Sequence, residues 1–176
     1  MNKDFPVLTH ENFQLRQILP SDIDHVYKGL SHPEVIKYYG VSYDSLLATE
    51  EQMIWFKQLE EHNTGIWWAI VDTKNTIFYG AIGFNNLCYK HNKAEIGYWL
   101  LPEYWGRQIM SNAIALVCDY AFKVLKIHRI EALVECENKI SKRLLDKASF
   151  NLEGTFVDYE IKNGTYISLD SYAKFH

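Results

Sequence analysis

The run Trp105-Gly106-Arg107-Gln108-Ile109-Met110-Ser111 places a glycine, a cation and a hydroxyl at the head of an apolar stripe formed by Met110, Ala113, Ile114, Val117, Cys118, Ala121, Phe122 and Leu125. Steps of three and four residues mark one face of an amphipathic helix, so this turn feeds a helix N-terminus. Backbone N–H groups there lack intrahelical partners and lie at the positive end of the helix dipole, an arrangement able to hold a phosphate. Asn138 and Ser141, three residues apart, open a second helical pattern marked by Ile140, Leu144, Leu145 and Ala148, and can point to one side. Asn138 is also a good N-cap, which is the simpler use of that residue. Asp158 and Glu160 flank Tyr159 late in the chain and could meet a cation. Tyr38 and Tyr39 could wall a cleft or simply pack.

The elements that must position these groups follow from periodicity. Residues 93–101 alternate Ile96, Tyr98 and Leu100 with Glu95, Gly97 and Trp99 and read as a strand that Pro102 stops. Phe13 to Gln17 reads as a strand, and Pro20-Ser21-Asp22-Ile23-Asp24 supplies the N-cap and capping-box acid of a helix through Leu30. A short turn of helix is expected after Pro33, and a longer helix from Ser45 to Glu61. Residues 65–72 and 77–84 form a hairpin around Thr73–Thr76, with the polar stretch Asn85 to Asn92 as a connection. Residues 127–135 alternate again, and two last strands near 156–161 and 166–173 meet across Asn163-Gly164, a strong hairpin signal. The order βαα-βββ-α-β-α-ββ is that of an α/β sheet with helices on both faces.

At 176 residues the chain fits one domain, residues 1–176, able to bury roughly two-thirds of its unfolded surface. Its 48% apolar and 23% charged residues are ordinary globular usage, and 15% aromatic suggests a packed core or an aromatic-lined cleft. A membrane span and a secretory signal are not expected, because no run of about 18 apolar residues is present and Met-Asn-Lys-Asp-Phe-Pro lacks a basic-then-apolar segment; the expected location is the cytoplasm. Cys88, Cys118 and Cys136 are widely spaced, which favours reduced thiols, and the scattered His residues make no zinc pattern. A net charge of −4 argues against nucleic acid as the main partner. Residues 105–148 nonetheless carry eight Lys or Arg against five Asp or Glu, so an anion could sit there while a cation approaches elsewhere, unless these are only solvated faces.

Several segments together resemble the GNAT N-acetyltransferases, in particular their RimJ/RimL-like branch. They are Leu15-Arg16 with Asp22, His32-Pro33-Glu34-Val35 with Tyr39-Gly40, Glu95-Ile-Gly-Tyr-Trp-Leu-Leu101, Trp105-Gly-Arg-Gln-Ile-Met110, His128-Arg-Ile-Glu-Ala132, Glu137-Asn138, Ser141-Lys-Arg-Leu-Leu145 and Phe150-x-x-Glu-Gly154. The resemblance implies a mixed, mostly antiparallel sheet with helices on both faces and a splay between the fourth and fifth strands, in which the pantetheine arm of acetyl-CoA lies. It implies that Trp99, Leu100 and Leu101 contact that arm, a backbone N–H polarising the thioester carbonyl. Trp105, Gly106, Arg107, Gln108, Ile109, Met110 and Ser111 would hold the pyrophosphate, Asn138 the pantetheine, and Lys142, with Arg143, would approach the adenosine phosphate.

The same resemblance makes Glu95 the candidate base and Ser141 the aid to thiolate departure; beside it, Tyr38, Tyr39 and Glu160 are the candidate contacts to an amine acceptor, either a peptide N-terminus or a small molecule, with Glu160 or a water wire as the alternative base. No metal is implied, and no membrane or nucleic-acid partner; a homodimer is left open. Cys136 is the alternative covalent acyl carrier, although no His adjoins it in sequence to activate the thiol. Three loop positions depart from the family pattern: its second glycine is Gln108 here, its final small residue is Met110, and its usual first Gln or Arg is Trp105. Helix-terminal φ and ψ would let Gln108 offer its N–H without being glycine. Gln108 and Met110 motivate the other reading, a catalytically weak CoA-binding or regulatory protein on the same fold.

Overall fold

The computed structural model describes residues 5–176; residues 1–4, part of the stretch read for a secretory signal, lie outside it. Strands β1 (Leu8–His10), β2 (Phe13–Gln17), β3 (Ile66–Asp72), β4 (Phe78–Cys88), β5 (Lys93–Leu100), β6 (Arg129–Glu135), β7 (Asn151–Lys162) and β8 (Thr165–Phe175) form one sheet in the order β1-β2-β3-β4-β5-β6-β8-β7. Every neighbouring pair is antiparallel except β5 with β6, which is parallel. Helices α1 (Ile23–Leu30), α2 (Pro33–Ile36) and α3 (Leu46–Glu61) cover one face, and α4 (Ile109–Lys123) and α5 (Lys139–Lys147) the other. Among the described residues no helix is long and apolar enough to cross a membrane.

Strand alternation sorts the core into two layers. Ala94, Ile96 and Leu100 of β5 pack with Met110, Ala113, Ile114, Val117 and Ala121 of α4, the stripe expected from spacing. Trp99, with Trp67 of β3, joins Val26 and Leu30 of α1 and Phe56 and Leu59 of α3 on the opposite face. Gly97 is needed for that second layer, since a Cβ there would lie 2.8 Å from the ring of Trp67.

Four local readings change. A three-residue strand, β1, precedes the expected first strand and pairs Leu8–His10 with Leu15–Phe13. Asn85–Cys88 is not a connection but the end of β4, with a register shift between Asn85 and Cys88 and Asn86 at φ 53°. A 3₁₀ turn over Pro20–Asp22 precedes α1, and the capping box falls on that turn: the Asp22 carboxylate accepts the Leu19 N–H at 2.7 Å and also takes both ends of the Arg16 guanidinium at 2.7 and 2.9 Å. The last two strands run longer than expected, across a turn with Asn163 and Gly164 at φ 51° and 75°.

Candidate active site

The parallel pair β5 and β6 stays in register only over Lys93–Glu95 and Arg129–Glu131. Beyond that the strands part, because β6 pairs over its whole length with β8 and β5 over most of its length with β4. A chain of charges holds the last paired rung. Lys93 Nζ meets Glu131 at 3.0 Å, Arg129 Nε meets the same carboxylate at 2.8 Å, and the Arg129 guanidinium reaches Glu153 of β7. Burial alone would raise the Glu131 carboxyl, but the hydrogen bonds from Arg129 and Lys93 outweigh it and hold it below its ordinary value.

The gap above this rung has a polar edge. Leu101 donates its N–H to Tyr79 O at 2.9 Å. By the alternation of an antiparallel ladder, the N–H and C=O groups of Tyr98 and Leu100 then face the gap. The Leu100 carbonyl is taken by the Trp105 indole N–H at 2.7 Å, leaving the Leu100 N–H and the N–H and carbonyl of Tyr98 for an extended ligand. Trp99, Leu100 and Leu101, expected to contact such a ligand, are buried residues whose side chains pack into the two core layers, so the polar groups of this stretch that remain are those of its backbone. Trp105 likewise folds its indole N–H back onto β5 as a brace.

At the far end of β5 a 3₁₀ turn, Pro102–Tyr104, leads to an exposed loop and the N-terminus of α4. Gly106 sits at φ 72° and Gln108, the residue before α4, at φ 60°, ψ 5°. The first intrahelical bond runs from Asn112 N–H to Gln108 O, so the N–H groups of Ile109, Met110 and Ser111 have no intrahelical acceptor. This corrects the expectation for Gln108: its backbone does adopt the left-handed geometry that favours glycine, and the residue keeps the loop's shape at a steric cost. Met110 points into the core at 8% exposure, so its size does not crowd the loop. The exposed Arg107 lies over the Tyr104 ring at 5.5 Å.

Across the gap stands the first turn of α5. Asn138 Oδ1 caps it by accepting the Ser141 N–H at 3.1 Å, and Ser141 Oγ lies 2.7 Å from the Tyr98 hydroxyl on β5. Burial pushes the Tyr98 phenol up to about 12. Tyr98 was legible only as an apolar strand residue, and nothing in the sequence pairs it with Ser141. Lys142 does not extend outward to a phosphate as expected, for its ammonium bonds Asp170 of β8 at 2.5 Å and the Cys136 carbonyl at 3.2 Å. The Lys142 bond holds Asp170 below the usual carboxylate range. Arg143 is exposed on α5.

Cys136 is poorly placed as an acyl carrier. Its thiol donates to Asp170 at 3.3 Å, and burial together with that carboxylate raises its pKa, so it is held as the thiol rather than as the nucleophilic thiolate.

Glu95 lies on the opposite face of β5 from Tyr98, beside Glu131 in the paired rung. Glu131 is neutralised by Lys93 and Arg129, whereas Glu95 accepts only the Asn86 amide, at 2.9 Å, among the described residues. Tyr39 packs against the α1–α3 layer, where burial raises its phenol, and Tyr38 lies under Lys37 Nζ at 5.0 Å. The β7–β8 hairpin reaches this loop: Lys162 Nζ bonds Lys37 O at 2.6 Å and Glu135 of β6 at 2.5 Å. Glu160 stands exposed on β7.

A model of the acetyltransferase (GNAT) domain matches residues 12–151. The chain belongs to the GNAT acetyltransferase family. An uncharacterized N-acetyltransferase of Bacillus subtilis, YoaA, is 37% identical over 172 residues, 96% of each chain. The fold of this acetyltransferase superposes on the ribosomal-protein-S5-alanine acetyltransferase of Vibrio fischeri with a TM-score of 0.84 at 23% identity, over 97% of this chain and 96% of the other. It superposes on the spermidine N-acetyltransferase of Vibrio cholerae, solved with CoA and spermine, with a TM-score of 0.83 at 22% identity, over 94% and 96%. In the GNAT acetyltransferase described here, the free strand edge and the three unpartnered N–H groups at the head of α4 suit the two polar parts of acetyl-CoA, its amide-bearing arm and its pyrophosphate.

Proposed function

We propose that this acetyltransferase moves the acetyl group of acetyl-CoA to a primary amine by direct transfer in a ternary complex. The acceptor is the N-terminus of a peptide or ribosomal protein, or a small-molecule amine. The observation that carries the reading is the parting of β5 and β6 beyond Glu95 and Glu131, with Glu95 on one face of β5 and Tyr98, bonded to the Ser141 turn, on the other. Acetyl-CoA enters along the α4–α5 side, its arm against the Leu100 N–H and Tyr98 C=O and its pyrophosphate on Ile109–Ser111. The amine arrives from the α1–α3 side, past Tyr38, Tyr39 and the hairpin that carries Glu160.

Amines are mostly ammonium ions near neutral pH, so a proton must leave before attack. Glu95, or a water it orders, takes that proton. The amine nitrogen then bonds to the thioester carbon, whose oxygen draws on a backbone N–H of β5. As the C–S bond breaks, sulfur leaves with its electron pair and Ser141 directs its hydroxyl proton toward it.

Release of free thiol from acetyl-CoA, followed across a panel of peptide N-termini, polyamines and other small amines, tests the reading. Glu95→Gln should lower turnover by about 100-fold or more, the usual contribution of a general base, while acetyl-CoA still raises the melting temperature. Stabilisation by acetyl-CoA without turnover on any amine would instead favour a CoA-binding regulatory protein, the reading that the strained Gln108 motivates.

A further inference from the structure

A serine hydroxyl has one proton, and its neighbours decide where it points. Among the described residues, the contact between Tyr98 OH and Ser141 Oγ at 2.7 Å is the only hydrogen bond of either hydroxyl. Tyr98 projects from the β5 wall of the gap, and Ser141 from the α5 turn whose backbone is fixed by Asn138. We propose that Tyr98 is a positioning residue for acetyl transfer: it donates its phenolic proton to Ser141 Oγ and so frees the Ser141 O–H to face the leaving sulfur in the gap. This rests on the reading of Ser141 given above.

The opposite sense of the bond is the poorer one. If Ser141 donated to Tyr98, the phenolic proton would have no acceptor among the described residues and Ser141 would have no proton for sulfur. Burial keeps the phenol protonated across the neutral range, so the donor persists wherever the reaction runs. Atoms and charge balance without consuming Tyr98. The C–N bond forms and the C–S bond breaks, and the ammonium nitrogen gives up two protons through Glu95 and water, one before attack and one as the amide forms. Sulfur departs with the electron pair against the Ser141 O–H and is protonated by solvent afterwards.

Tyr98→Phe removes one oxygen and keeps the ring that fills its place, and Ser141→Ala removes the hydroxyl it directs. Steady-state kinetics of both and of the double variant, on the best amine of the panel, separate positioning from packing. Tyr98→Phe should lower kcat about tenfold with KM for acetyl-CoA within about twofold of wild type, as expected for one lost charge-stabilising hydrogen bond. The double variant should be no slower than Ser141→Ala, because the two groups act as a unit. The Tyr98→Phe deficit should shrink with an acetyl thioester of a more acidic thiol, which needs less help to leave. Losses that multiply in the double variant, or a rise in KM with kcat unchanged, would overturn the proposal. Wild-type kcat in Ser141→Ala would overturn it together with the Ser141 role and leave acetyl transfer standing; no turnover by wild type on any amine would overturn both.

Discussion

Replacing Asp170 by Asn should destabilise the enzyme by a predictable amount and with a predictable pH dependence. The carboxylate is 4% exposed and accepts from Lys142 at 2.5 Å, Thr155 Oγ1 at 2.7 Å and the Cys136 thiol at 3.3 Å. Asn keeps the shape but removes the charge that Lys142 answers. Breaking a fully buried pair costs about 3–5 kcal/mol, but the Lys142 side chain is 29% exposed and regains some hydration, which brings the expected loss to about 2 kcal/mol. For a chain of 176 residues that corresponds to a fall in Tm of about 4–8 °C. Lys142 holds Asp170 below the ordinary carboxylate value, so the stabilisation is present above about pH 4 and is lost as pH falls through the lower folded value. Asp170 raises Lys142 above its ordinary value, so that share is full below about pH 10 and is lost as pH rises further. Thermal unfolding of wild type and Asp170→Asn from acid to alkaline pH should therefore show the gap widest near neutrality and closing in strong acid. A difference under about 0.5 kcal/mol at neutral pH, or one that persists unchanged in strong acid, would refute this account of the α5–β8 clamp.

Gln108→Gly should relieve the left-handed strain, worth about 1–2 kcal/mol, against an unfolded-state entropy cost of about 0.5–1 kcal/mol. The expected result is a small rise in Tm with acetyl-CoA affinity unchanged or tighter, read by thermal unfolding and calorimetric titration. Gly29→Ala should act at a distance from the gap: the new Cβ would lie 2.1 Å from the Trp99 ring, forcing that ring off β5's inner face. Chemical denaturation should report a loss of about 3 kcal/mol, the upper range for overpacking.

Periodicity carried much of the fold because burial imposes it: the α4 stripe, the alternation of β5 and the Asn163-Gly164 turn are local consequences of which face meets the core. The Asn138 cap was legible for the same reason, since it joins residues three apart. What stayed hidden is long-range or sterically unfavourable. Strand β1 has only three residues, too few to show alternation. Asp22 accepts the Leu19 N–H as a capping-box acid, which is local, but its second partner, the Arg16 guanidinium on a neighbouring strand, is not read from spacing. Lys142 and Asp170 meet only because α5 lies over β8, and Tyr98 meets Ser141 only because α5 bridges the gap. Gln108 was legible as a departure from the family pattern, yet its left-handed backbone is set by the loop around it and not by its own preference.

The central claim is that the acetyl group passes from acetyl-CoA to an amine with no stop on the protein. A single-turnover reaction with acetyl-labelled acetyl-CoA and an amine acceptor, read by mass spectrometry of both protein and acceptor, tests it most directly. The account predicts label on the amine nitrogen of the acceptor at every time point and none on the protein. Label appearing first on Cys136 and then on the acceptor, or acetate released with the acceptor unlabelled, would contradict it.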